Sequence, residues 1–186
     1  MKNYGSSVSL TSTALFAVLT AIGSWIQIPM FPVPITLQTA FVLLAGLFLP
    51  AKDATLSQIL YLLMGLLGLP VFGFGGGIQY VAHPTFGYLL AFPLTAFLVA
   101  KLKQLPYFTQ HKTAISNIIL SLIGTTVIYI VGITGLYLNL TYLAGQSIGW
   151  QKIIITGMLV FLPGDAVKIV LVSWIADKLR YIHPVN

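Results

Sequence analysis

The chain has 186 residues, 58% of them hydrophobic and 6% charged, with a formal net charge of +6 and a mean hydropathy of +0.96. Soluble globular domains carry about a quarter charged residues, so this composition excludes one and specifies an integral membrane protein. The absence of cysteine excludes disulfides, thiolate metal sites and a cysteine nucleophile, and the basic excess lies in short loops, where it sets topology rather than binding nucleic acid.

Apolar windows bounded by proline, glycine or charge predict six membrane helices, near 8–28, 35–51, 54–70, 84–104, 113–138 and 164–181. No polar segment is large enough to fold outside the bilayer, so the reading is one all-α membrane domain over residues 1–186. The first window follows Lys2 and superficially resembles a signal peptide, but no small-x-small cleavage site precedes "PMFPVP", and it is kept as the first helix. It carries Ala14, Ala17, Ala21 and Ser24 at spacings of three and four. That small-residue stripe permits close approach of another helix, either within the bundle or from a partner protein.

The loop after this helix places prolines at 29, 32 and 34 and then offers Thr36, Gln38 and Thr39. Rigid, uncharged and next to Trp25, it suits a lid. Residues 68–92, "GLPVFGFGGGIQYVAHPTFGYLLAF", form an irregular loop entering a helix. No Gly-Lys-Ser/Thr follows its glycines, so it is no phosphate cradle; it supplies close backbone approach to a ligand, with Gln79, Tyr80, His83 and Tyr88 as walls. After the fifth helix, the apolar stretch 153–162 is about half the length needed to cross, and reads as a short helix at the membrane's edge. The last helix then begins at Pro163 or Gly164; one long helix over 150–180, kinked there, is the alternative.

With the N-terminus inside, Lys2, Lys52, Lys101, Lys103, Lys112, Lys178 and Arg180 fall on the cytoplasmic side and Lys152 outside. The positive-inside rule therefore puts both termini in the cytoplasm and the loops 29–34, 71–83 and 139–152 outside.

The remaining cation, Lys168, lies in the last helix three residues after Asp165, so the two share a face about one turn apart. A charge inside a membrane helix costs about 2.5–3.5 kcal/mol on insertion scales, so such a pair faces protein or a watery cavity, as an internal ion pair or as ligand contacts. Asp165 also sits in the first turn, where the helix dipole favours an ionised carboxylate. His83, His111 and His183 are isolated in sequence and no paired-carboxylate or HExxH spacing occurs, so neither a metal nor a cofactor is expected. A membrane-embedded enzyme using Asp165 and Lys168 as acid and base would need more titratable groups than the chain provides.

The stretches "ALFAVLTAIGSWIQIP", "PVPITLQTAFVLLAG", "GLPVFGFGGG", "HPTFGYLLAF" and "FLPGDAVK" together resemble the biotin-specific substrate-binding (S) component of energy-coupling factor (ECF) transporters, over nearly the whole chain. The resemblance implies a six-helix, non-enzymatic protein of a prokaryotic plasma membrane that captures biotin at the outer face. It further implies association with a transmembrane coupling protein and two cytoplasmic ATPases that supply the hydrolysis; an S component for another vitamin is the neighbouring reading. It assigns Asp165 and Lys168 to the ligand, with Asp165 accepting from ureido N–H groups and Lys168 on either the carboxylate or the ureido oxygen. It assigns Ala17 and Ala21 to the coupling protein. Trp25, Thr36, Gln38, Gln79, Tyr80 and Tyr88 complete the expected binding site. Ala82-His83 departs from the family's pattern, where many members carry glycines.

Overall fold

A computed structural model describes residues 6–111 and 113–182; Lys2, Lys112 and His183, and the side chain of Arg180, lie outside the described set. Among the described residues, six helices have eleven residues or more: α1 (Ser6–Trp25), α2 (Gln38–Phe48), α3 (Ala51–Leu66), α4 (Phe86–Leu102), α6 (Ala114–Leu138) and α8 (Leu162–Ile182). Between them lie the five-residue helices α5 (Pro106–Gln110) and α7 (Trp150–Ile154), a 3-10 turn at Ile78–Ala82, and π-helical turns at Asn139–Leu143 and Ile155–Leu159. Among the described residues, the segments Ser7–Trp25, Ala114–Leu143 and Trp150–Leu179 are long and apolar enough to cross a membrane.

The second predicted window, 35–51, is longer than the helix it contains. Residues Ile35–Thr36 (β2) pair antiparallel with Gln27–Ile28 (β1), so the proline loop is a small hairpin and the helix starts only at Gln38. Eleven residues at 1.5 Å each reach about 16 Å, roughly half a hydrocarbon core, so α2 does not cross by itself. At the other end of the chain, α7, the π turn and α8 form a nearly continuous run, and Pro163 occupies the first turn of α8, where its missing N–H costs nothing.

α4 is the central helix, packed on α2, α3 and α6, while α8 packs on α6 and α2 and α1 on α3 and α2. Glycine makes the α4–α6 contact possible. A methyl group on Gly135 would lie 2.6 Å from the Cα of Gly87, and one on Gly132 would lie 2.2 Å from the Tyr88 ring. Backbones that close need small residues. The wedge left between α2, α4, α6 and α8 at the hairpin end is the site described next.

Candidate ligand-binding site

α8 presents Asp165 and Lys168, 7% and 8% exposed, on the face turned toward α6 and α2. The ammonium of Lys168 has three donors and uses all of them: on Asp165 Oδ1, on the Thr36 carbonyl at 3.0 Å and on Thr39 Oγ1 at 2.8 Å. Tyr129 of α6 donates its hydroxyl to the other carboxylate oxygen, Oδ2. A carboxylate offers about four lone-pair directions, so Asp165 keeps two for an incoming donor, whereas Lys168 has none to spare. The site as it stands welcomes ligand N–H groups; a ligand oxygen on Lys168 has to displace Thr36 or Thr39.

The hairpin and the start of α2 form a second wall. Thr36 Oγ1 donates to Gln38 Oε1 at 3.0 Å, Gln38 Nε2 donates to the Tyr61 hydroxyl, and Tyr61 donates to the Val71 carbonyl at 3.0 Å. This chain links the hairpin through α3 to the glycine-rich loop. Aromatic rings make the third wall: Tyr88, whose hydroxyl donates to the Gly157 carbonyl at 2.8 Å, with Phe92, Phe161 and Tyr80. Tyr80 and His83 stack with centroids 4.6 Å apart, and both meet Thr85. The Thr85 backbone N–H donates to His83 Nδ1, so Nδ1 is the unprotonated nitrogen, the Thr85 hydroxyl donates to it, and the Tyr80 hydroxyl donates to Thr85. Burial holds this imidazole below its usual pKa, in the neutral form that the network requires.

These walls enclose a cavity of about 60 Å³, below the roughly 300–1,000 Å³ usual for small-molecule sites, so a vitamin-sized ligand enters only as the walls move apart. Its lining is mostly apolar and aromatic, with the polar groups gathered at the α2–α8 side.

Of the predicted site residues, Thr36, Gln38, Tyr80, Tyr88, Asp165 and Lys168 line this cavity together. Trp25 and Gln79 do not line it. Trp25 is 62% exposed and its indole donates to the Pro70 carbonyl at 2.9 Å, tying the end of α1 to the glycine-rich loop. Gln79 is exposed and folds back onto the Gly76 carbonyl at 2.7 Å. Ala17 and Ala21, expected to meet a partner protein, are 0% and 6% exposed, on the face of α1 that packs into the bundle. Of the stripe, Ala14 faces out. Tyr129, Thr85, Phe92 and Phe161 were not singled out by sequence, because an aromatic or threonine in an apolar run carries no mark of which way it faces.

The sequence profile described as "BioY family" matches residues 1–184. The chain is 37% identical over 174 residues to a probable biotin transporter BioY of Lysinibacillus sphaericus, covering 94% of this chain and 87% of that one. It is 38% identical to the corresponding protein of Pyrococcus horikoshii, covering 90% and 93%, and 35% identical to the biotin transporter BioY of Thermotoga maritima, covering 94% and 96%. Among solved structures it matches the S-component for biotin from an ECF-type ABC transporter, with a TM-score of 0.83, 30% identity, and coverage of 97% and 95%.

Proposed function

Because the chain belongs to the BioY family, we propose that it is the biotin-binding S component of an ECF transporter, with biotin held in the cavity between α2, α4, α6 and α8. The observation that carries the proposal is Asp165, an ionised acceptor with free lone pairs, set beside a lysine whose donors are already engaged and opposite an aromatic wall. Biotin presents the complement: two ureido N–H donors, an apolar thiophane ring for Tyr88, Phe92 and Phe161, and a polar tail for the mouth. In this reading the ureido N–H groups meet Asp165, and Tyr80, Thr36 and Gln38 border the ring system. The hairpin and glycine-rich loop close over the ligand.

The chain is a multi-pass membrane protein, and the relatives in bacteria and an archaeon support a prokaryotic plasma membrane. Both termini lie in the cytoplasm and the cavity opens outward, as the distribution of lysine supports. A transmembrane coupling protein and two cytoplasmic ATPases complete the transporter and supply the ATP hydrolysis. The packing of Ala17 and Ala21 inside the bundle leaves the membrane-facing side of α1, with Ala14, Val18 and Ile22, as the surface of that helix open to the coupling protein. Calorimetric titration of the purified protein with biotin, thiamine and riboflavin tests the ligand: saturable binding of biotin alone is expected, and binding of another vitamin without biotin overturns the assignment.

A further inference from the structure

Tyr129 and Asp165 line two cavities at once: the ligand cavity, and a cleft between α6 and α8 on the opposite side of the same two residues. The rim of that cleft is apolar and open, with Leu122, Ile130 and Leu162 exposed by 50%, 63% and 44%, and the small side chain of Ala166, also exposed, leaves room between the helices. Tyr129 is nine residues from the end of α6 at Leu138, about 14 Å along the axis at 1.5 Å per residue. In a helix that crosses a membrane, that depth puts the cleft against lipid tails rather than water.

Tyr129 and Asp165, both less than a tenth exposed, together form the partition between the ligand cavity and that cleft, and the tyrosine ring is its larger part. The tyrosine hydroxyl satisfies Asp165 Oδ2 and its ring forms wall on both sides. We infer that Tyr129 seals the ligand cavity against the bilayer at the α6–α8 cleft and positions Asp165 by the same contact, so that the ring closes a lateral window and the hydroxyl orients the acceptor. The inference rests on reading the cavity as the ligand site and does not depend on which ligand fills it. Without the ring, lipid tails would reach an ionised group, at a cost that membrane helices avoid by facing such groups inward.

The test uses the full chain in lipid nanodiscs and dicyclohexylcarbodiimide, an apolar reagent that reaches carboxyl groups from the lipid phase, at mildly acidic pH. The sequence has three acidic residues, Asp53, Asp165 and Asp177, so peptide mass spectrometry assigns each modification. With biotin occupying the cavity, Asp165 in Tyr129→Ala should react at least about tenfold faster than in the unaltered protein, because the barrier to a membrane-facing carboxyl is gone. Tyr129→Phe, which keeps the ring, should react like the unaltered protein. Adding Ala166→Phe to Tyr129→Ala should fill the cleft and restore protection. Tyr129→Leu, a smaller loss of wall, covers the case in which the alanine variant does not fold, and should be intermediate. Equal rates in all variants overturn the inference, as does a fast reaction in Tyr129→Phe, which would make the hydroxyl bond and not the ring the barrier. Failure of the ligand assignment reads out separately, as an absence of biotin protection against a water-soluble carbodiimide in the unaltered protein.

Discussion

Replacing Asp165 by asparagine changes one atom and isolates the charge. In the native site Oδ1 takes Lys168 and Oδ2 takes Tyr129, two donors converging on one carboxylate. The asparagine oxygen can keep Lys168, and the amide NH₂ then faces Tyr129, whose hydroxyl can turn to accept. Lys168 also retains Thr36 O and Thr39 Oγ1, so the local frame survives although the lysine has lost its counter-ion. A ligand N–H that donated to a carboxylate loses a charge-assisted bond of about 1.5–3 kcal/mol, which is roughly a 10- to 150-fold rise in Kd. Equilibrium binding of labelled biotin measures it, with thermal unfolding of the same sample as the control for fold. Lys168→Met should be worse for stability, because it strands a buried carboxylate, a loss of about 3–5 kcal/mol for a broken buried pair. An unchanged biotin Kd in Asp165→Asn, with a lowered unfolding temperature, would refute the argument: the pair would then be a helix clamp and the ligand's acceptor would lie elsewhere.

Four further outcomes follow from the packing. Gly132→Ala puts a methyl group 2.2 Å from the Tyr88 ring, so the ring must leave the cavity wall; calorimetry should show biotin binding lost while the protein still purifies as a monodisperse species. Ala17→Leu or Ala21→Leu overpacks the buried face of α1 and should lower stability by about 1–3 kcal/mol, read as a fall in unfolding temperature of the isolated protein. Gln27→Met removes the bond from Gln27 Nε2 to the Gly73 carbonyl, 2.9 Å, between the hairpin and the glycine-rich loop; stopped-flow binding should show both association and dissociation accelerated, whereas a direct ligand contact would change dissociation alone. Because burial depresses the His83 pKa, the folded state binds fewer protons than the unfolded one as the pH falls from the ordinary histidine value of about 6.5. Acidification from pH 7 to 5 should therefore destabilise the protein, and His83→Gln should flatten that slope in unfolding scans.

Much of this was legible in the sequence, for identifiable reasons. Asp165 and Lys168 stood out because charge inside an apolar run is expensive, and that cost is what drives them into the cavity. The long windows of α1, α6 and α8 marked themselves by hydropathy. The two-residue strands of the hairpin have no period to detect, so the apolar window runs residues 35 and 36 into α2 and overstates the length of that helix. Loop side chains gave the weakest signal. Trp25 and Gln79 had suitable chemistry, but their direction is set by Pro70 and Gly76 carbonyls that sequence does not reveal as acceptors. Tyr129 was missed for the converse reason: a tyrosine in a span is common, and only the rotation of α6 against α8 turns its hydroxyl onto Asp165.

The saturation of Lys168 bears on how ligand and hairpin communicate. Two of its three donors go to residues more than a hundred positions away, the carbonyl of Thr36 in β2 and the hydroxyl of Thr39 in α2. Thr36 is paired with Gln27 across the hairpin, and Gln27 holds Gly73 of the glycine-rich loop. A ligand that offers only N–H groups can bind Asp165 and leave this line of contacts intact. A ligand that also presents an oxygen to Lys168 must take a donor from Thr36 or Thr39, and if it takes the one on Thr36 it releases the backbone of the strand that roofs its own cavity. The two ways of engaging the same ion pair thus differ in what they do to the roof: the first preserves the closed hairpin, and the second exchanges a roof contact for a ligand contact.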